Sequence, residues 1–382
     1  MTRILMAEAT DFQATAQVGS HALAREFAKS GAEVCWIGTP LHPGTLMRGT
    51  HDEQTKHRID AWERGGVLVE ERITEYYPRT FLPVIDRPVL RTRFAATRTL
   101  TATSPSLRGV LKRLGFNRPD VLWLSNSRFS HAMPGLVRAR VSACRISDDW
   151  EHFGTVPPAL IALHDEMVDH CDVVFVTSRR LQQKLATRRP DAIYLPNAVA
   201  DFFFSKPAAE PSMLAKFPRP RVVFVGKLDA WVDFDAIAGV AERNPDASVL
   251  VVGPGTPAAR SYPKNVHFTG PFPYRELPWL LGFCDVALVP FIKNELTHAV
   301  SPLKLFEYLA CGLATVATRL DEIEACKAPV TLCDTADDMA AAVTAQLFDR
   351  GGHGMRIAYA RENTWSKRFD AVQEALRAKG VM

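Results

Sequence analysis

The residues with the most chemical content lie in one run, Ser301-Pro302-Leu303-Lys304-Leu305-Phe306-Glu307-Tyr308-Leu309-Ala310-Cys311-Gly312. Serine followed by proline is a strong helix start, with Ser301 as N-cap and Pro302 as the first helical residue. Gly312 supplies a left-handed stop. Lys304 then falls in the first turn, where free N–H groups and the helix dipole already favour an anion. A diphosphate is the ligand that suits this convergence. Glu307 lies one turn further along the same face and could accept hydrogen bonds from ribose hydroxyls. The competing reading is a capped helix with a Lys–Glu pair worth ~0.3–0.5 kcal/mol. Spacing alone does not separate the two.

A second group is Ser147-Asp148-Asp149, at the end of an apolar run. Adjacent carboxylates repel, which raises one pKa and favours proton uptake near neutrality. Such a group could act as general base toward an attacking hydroxyl. Asp148 is favoured and Asp149 kept; a turn or helix cap is the alternative for each. His21, behind Gly19 at a helix start, is a third candidate, touching an acceptor or a phosphate, against a solvated histidine. Three other signals read as structural. Asp233-Phe234-Asp235 spells D-x-D but opens an expected helix, so capping is favoured. Gly253-Pro254-Gly255 follows a strand and reads as a turn. His164, Asp165, Glu166 and His170 miss H-E-x-x-H spacing and read as a solvated helix face.

The elements that must position these residues alternate regularly. Strands are expected from residues 3, 33, 67, 120, 143, 172 and 192, and helices over 21–30 and 159–170. The stretch 198–220 is irregular and proline-rich, a linker candidate. The rhythm restarts with strands from 221, 248, 265, 285, 314 and 329. This βα alternation predicts an α/β protein of two doubly wound halves with mostly parallel sheets. Ligands bind outside the carboxyl ends of such strands, and a site between the halves is the natural expectation.

Composition agrees with that architecture. The 382 residues suit two domains, and 47% hydrophobic with 23% charged excludes disordered and coiled-coil classes. A net charge of +4 is too small to argue for nucleic acid. The seven cysteines show no CxxC and sit mostly in apolar runs, as buried small hydrophobes in a reducing compartment would. No signal peptide or 18-residue apolar run is present, so a cytoplasmic protein is expected. The basic excess is local. Across 79–118, Arg79, Arg87, Arg91, Arg93, Arg98, Arg108, Lys112, Arg113 and Arg118 face only Asp86, with apolar residues interleaved. That is either a membrane-surface element attracted to anionic lipid or a solvated helical insertion.

The donor-helix run 301–312 resembles that of GT-B glycosyltransferases. Other motifs match in order: Val223-Phe224-Val225-Gly226-Lys227-Leu228, Phe268-Thr269-Gly270-Pro271-Phe272-Pro273-Tyr274, Asp285 to Phe291, Thr364 to Arg368, and Gln17-Val18-Gly19-Ser20-His21. The resemblance spans almost the whole chain. It implies two Rossmann-like domains facing across a cleft: 1–198 for the acceptor, a linker at 199–220, 221–362 for a nucleotide sugar, and a helix at 363–382 packing back on the first. It implies donor contacts from Gly19, Gly226, Lys227, Phe272, Tyr274, Ser301, Leu303, Lys304 and Glu307, with a UDP-sugar favoured and no metal or further cofactor. The first glutamate of the E-x7-E pair of many retaining members falls on Ala299, and no second cation follows Lys227. These departures, with Arg145-Ile146-Ser147-Asp148-Asp149, look closer to the branch of the xanthan glucuronosyltransferase and the teichuronic-acid-type transferases. That branch implies inversion with an aspartate base; a glycan or polyprenyl-diphosphate-linked acceptor would reconcile the two readings of 79–118, with that segment as a peripheral contact to the inner membrane. A retaining transferase, a GT-B nucleotide-sugar 2-epimerase and a non-catalytic binding subunit are the competing expectations.

Overall fold

The computed structural model describes residues 1–48, 53–205, 209–348 and 351–382. They form two compact units. The first comprises Met1–Ala14, Val18–Pro196 and Phe369–Met382, and the second Thr15–Gln17 and Asn197–Arg368.

The first unit holds an eight-stranded sheet: β1 (Arg3–Ala7), β2 (Glu33–Ile37), β3 (Val67–Glu70), β4 (Ile73–Tyr76), β5 (Val121–Ser125), β6 (Val141–Ile146), β7 (Val173–Val176) and β8 (Ile193–Tyr194). Their order is β3-β4-β2-β1-β5-β6-β7-β8, parallel throughout except for the β3–β4 pair. Ile4, Leu5, Met6 and Ala7 are all fully buried, as befits a parallel strand covered on both faces. The chain leaves β1 toward β2 on one side, while β5 lies on the other. Neighbouring loops therefore diverge at the carboxyl ends of β1 and β5, which marks the switch point. β4 escapes a sequence reading because its apolar alternation is broken by Glu75. That carboxyl is fully buried, in contact with His57 Nε2, and accepts the Tyr77 hydroxyl at 2.9 Å.

An aromatic stack ties helices to this sheet. Trp123 of β5 stacks on Phe175 of β7 at 5.4 Å, and Phe27 of helix Gly19–Lys29 meets Trp123 edge-on at 5.6 Å. Phe369, from helix Trp365–Ala378, meets Phe27 edge-on at 5.0 Å. The chain's end is thereby fastened into the first unit.

The second unit has six parallel strands: β9 (Arg221–Val225), β10 (Ser248–Val252), β11 (Val266–Gly270), β12 (Val286–Val289), β13 (Ala314–Thr318) and β14 (Thr331–Cys333). Their order is β11-β10-β9-β12-β13-β14, which puts the switch point between β9 and β12. The stretch 199–220, expected as a linker, is packed instead, save for 206–208, which lie outside the described residues. Val199, Phe203, Leu214 and Phe217 all join the second core. Its prolines limit regular structure without preventing burial of these apolar side chains.

The segment 79–118 is also not one amphipathic helix. Only Arg93–Arg98 and Leu107–Arg113 are helical. Leu107, Val110 and Leu111 turn inward, while Phe81, Val89 and Phe94 stay exposed. All seven cysteines are free, five of them buried. Among the described residues no helix is long and apolar enough to cross a membrane.

Removing the Phe369 ring should leave a cavity that Phe27 and Trp123 cannot close. Phe369→Ala is expected to lower stability by about 3 kcal/mol, read as a lower urea midpoint for the first unit.

Candidate functional site

Helix Leu303–Ala310 begins at Pro302, whose φ of −76° and ψ of 114° are extended and which offers no side-chain cap. Ser301 is therefore not the N-cap. Its buried hydroxyl accepts the Asn197 backbone N–H at 3.2 Å, and its carbonyl accepts the Asn197 side-chain amide at 2.6 Å. Proline holds the preceding residue extended, one position too early to cap. The first-turn N–H groups of the helix consequently have no capping side chain from within it.

Lys304 stands in that turn. Its ammonium lies 4.2 Å from the ring centre of Phe224 on β9 and 4.9 Å from that of Phe291, just beyond β12. The charge thus sits at the switch point of the second sheet. Among the described residues nothing joins Lys304 by a hydrogen bond or an ion pair. Burial pulls its pKa down to about 7, against the opposing pull of Glu307. Gly226, at φ +155°, leaves the space that Lys304 fills; a Cβ there would run into the Lys304 Nζ and come within 3.2 Å of Cε. Gly253 in turn packs on the Gly226 carbonyl, so Gly253-Pro254-Gly255 forms the floor under this loop.

Glu307, 4% exposed, accepts the Tyr274 hydroxyl at 2.7 Å. Burial pushes its carboxyl up to about 7, although Tyr274 and Lys304 both oppose the shift. Tyr274 is set edge-on against Phe202 and Phe203, each at 5.5 Å, so it orients Glu307 from the packed stretch after Asn197. Tyr308 fixes the same helix to β9, where its hydroxyl accepts the Val225 N–H at 2.7 Å. Phe272 is partly buried against the core, and Leu303 is partly exposed at the helix start. Lys227 points its exposed ammonium to Asp229 at 2.6 Å and is not part of the Lys304 cluster of contacts. Ala299 is fully buried, and no carboxylate stands at that position.

The first unit presents its own group after β6. Asp148 is partly exposed and accepts the Ser147 hydroxyl at 2.5 Å. Its carboxyl is raised above the ordinary aspartate range by burial, with Ser147 and Arg145 opposing. Repulsion by Asp149, the expected cause, is not what raises it. Asp149 instead caps the turn Trp150–Phe153 by accepting the Glu151 N–H at 3.3 Å. It also pairs with Lys184 at 2.7 Å and His152 at 3.1 Å. Burial raises its pKa, but Lys184 and His152 outweigh that and hold the carboxyl low. Of the two, only Asp149 is held in ion pairs among the described residues. A cavity of about 40 Å³ is lined by Asp148, Trp150, Ile161, His164, Leu181 and Lys184.

His21 is not available for chemistry. It is fully buried between Phe12 and Trp36, at 5.6 and 4.9 Å. Nε2 meets the Asp11 carbonyl at 3.0 Å and Nδ1 meets the Val18 N–H at 3.0 Å. Burial pulls its pKa to about 4, so the neutral ring pins the loop that leads into Gly19. Asp233 caps helix Phe234–Arg243 through the Ala236 N–H at 2.8 Å, as the capping alternative for D-x-D predicts.

Sequence reasoning missed two neighbours of Asp148. Asn126 accepts the Ser147 N–H at 2.7 Å and lies 3.3 Å from His164 Nε2. His164 is buried, its ring 4.7 Å from Trp150, and is not on a solvated face. The signal available was its place in register with Leu160 and Met167 on helix Pro158–His170.

With this geometry in place, known proteins can be compared. Residues 219–349 match the family of glycosyl transferases group 1. A Bacillus subtilis (strain 168) protein, TuaH, named as a candidate teichuronic acid biosynthesis glycosyltransferase, is 31% identical over 150 residues. That match spans 37% of this chain and 38% of TuaH. Among solved structures, sucrose-phosphate synthase of Thermosynechococcus elongatus is similar with a TM-score of 0.71 at 14% identity, covering 99% of both chains. HepE (Alr3699) of Anabaena, solved in complex with UDP and glucose, gives 0.67 at 14% identity over 99% of this chain and 100% of its own. The chain thus has the GT-B fold, and its residues 219–349 are similar to the glycosyl transferases of group 1.

Proposed function

We propose that this chain is a glycosyltransferase that moves a sugar from a nucleotide donor to a glycan or polyprenyl-diphosphate-linked acceptor in polysaccharide synthesis. The observation that carries the reading is Lys304, an amine with no hydrogen bond or ion pair among the described residues, set in an uncapped helix turn at the switch point of the second sheet. A diphosphate supplies the missing charge, and Glu307 one turn on binds ribose hydroxyls. UDP is favoured, with HepE in complex with UDP and glucose as support. Lys304 and the helix N-terminus neutralise the leaving diphosphate, so the reaction runs without a metal ion or further cofactor.

Inversion at the anomeric carbon follows from a single base. The acceptor oxygen attacks that carbon as its bond to the diphosphate oxygen breaks, and the hydroxyl proton passes to Asp148. The partly exposed Asp148 is raised by burial, while Asp149 is committed to Lys184 and His152. The absence of a carboxylate at Ala299 favours this over the retaining alternative.

The acceptor class rests on the first unit. Phe81, Val89 and Phe94 are exposed on a stretch that carries Arg87, Arg91 and Arg98. Exposed rings among cations suit an anionic bilayer on its cytoplasmic side, where lipid-linked acceptors lie.

Three outcomes test these points. At pH 8 the free Lys304 amine is largely neutral, so UDP binding should take up close to one proton, seen by calorimetry in buffers of different ionisation enthalpy. Lys304→Met should lose that uptake and weaken UDP binding more than tenfold. Asp148→Asn should lower turnover by ~10²-fold or more with UDP affinity unchanged, whereas Asp149→Asn should chiefly lower stability by ~1 kcal/mol. Phe81→Ser with Phe94→Ser should reduce flotation with phosphatidylglycerol vesicles several-fold and leave UDP affinity intact.

A further inference from the structure

The carboxyl-terminal edge of the first sheet carries a buried side-chain amide beside Asp148. Asn126 follows β5 directly and Ser147 follows β6, and the strand register sets Ser125 opposite Arg145. Asn126 is only 8% exposed, and His164, on helix Pro158–His170, only 7%. Asn126 Oδ1 accepts the Ser147 N–H at 2.7 Å, and its Nδ2 donates to the Asp148 carbonyl at 3.4 Å. The same Nδ2 lies 3.3 Å from His164 Nε2. From the other side, the buried Thr177 hydroxyl, just after β7, donates to the Ser147 carbonyl at 3.1 Å. The Ser147 N–H and the carbonyls of Ser147 and Asp148 are therefore all held by side chains. A side-chain amide offers donor and acceptor on separate atoms, as a peptide does. Asn126 thus continues the β5–β6 ladder past the end of β5.

We infer that Asn126 is a positioning residue for Asp148: latched by the lone pair of His164 Nε2, it holds the Ser147–Asp148 backbone and so aims the carboxyl. The inference rests on the reading of Asp148 as the base. The orientation of the amide follows from its partners. Turned over, it would set its oxygen against the Asp148 carbonyl and His164 Nε2, and its N–H groups against the Ser147 N–H. A donor facing His164 Nε2 needs that nitrogen bare, so His164 is neutral with its proton on Nδ1. Burial, with His131, Arg188 and Lys184 acting in the same sense, pulls its pKa to about 4 and keeps it neutral. The Trp150 ring lies against it at 4.7 Å. The Ser147 hydroxyl, on the backbone that Asn126 holds, donates to Asp148 Oδ2 at 2.5 Å and carries the constraint on to the carboxyl. Misplacing a reacting group by about 1 Å can cost ~10²-fold in rate, so a clamp at this position governs turnover before it governs binding.

The test reads the latch and the reaction separately. Two-bond ¹H–¹⁵N NMR of the full chain near pH 7 should show His164 with a bare Nε2 and a protonated Nδ1, and Asn126→Ala should move the Nε2 resonance. Turnover is followed as UDP release from UDP-glucose with water as acceptor, and UDP affinity by calorimetry. Asn126→Ala should lower kcat about tenfold or more with UDP affinity unchanged. In the Asp148→Asn background the same change should alter kcat by less than about twofold, because residues that act as one unit are not additive. His164→Phe, which keeps a ring against Trp150 but removes the acceptor, should reproduce the loss of kcat at constant UDP affinity. A protonated Nε2 on His164, an unchanged kcat in Asn126→Ala, or an equal loss in the Asp148→Asn background overturns the proposal. Should Asn126→Ala fail to fold, His164→Phe and the tautomer decide. The base reading stands or falls separately: near-normal turnover in Asp148→Asn defeats it whatever the state of His164.

Discussion

The Lys304 ammonium rests against two phenyl rings where burial opposes its charge, and the carboxyl-terminal edge of the second sheet is shaped around it. Contact with a ring face contributes ~0.5–2 kcal/mol, whereas removing a charge from water costs several kcal/mol even after relaxation. As a contribution to stability the arrangement loses. It becomes favourable when an anion arrives, because the low polarity that penalises the lone cation also strengthens its attraction to phosphate. Gly226 makes room for it, Tyr308 fixes its helix to β9, and Tyr274 holds the neighbouring carboxyl.

The first unit uses the same device with the opposite sign. Asp148 is a carboxyl raised by burial, against the Ser147 hydroxyl and Arg145. Asp149, next in sequence, has an ordinary structural life: it caps a turn and pairs with Lys184. Two adjacent residues of one type thus differ in surroundings, Asp149 held by ion pairs and Asp148 by the Ser147 hydroxyl.

Much of this was legible in the sequence. Apolar runs between turn signals marked thirteen of the strands, and the run 301–312 marked the helix that carries Lys304 and Glu307. What escaped depended on long-range partners. β4 was hidden by Glu75, whose burial is tolerated only because His57 and Tyr77 come from elsewhere. His21 looked chemically free because its anchors, the Asp11 carbonyl and the Val18 N–H, are backbone atoms that composition does not reveal. Ser301 misled for a local reason, since a proline after serine moves the cap by one residue.

The contact of Gly253 with the Gly226 carbonyl has a consequence for how this edge can diversify. Two loops meet there backbone to backbone, with no side chain between them and no room for one. Such a seam cannot be retuned gradually, because even the smallest addition separates the loops. Variation along this edge is thereby left to side chains around the seam. Descendants of this chain can redecorate the walls, while the floor is inherited whole.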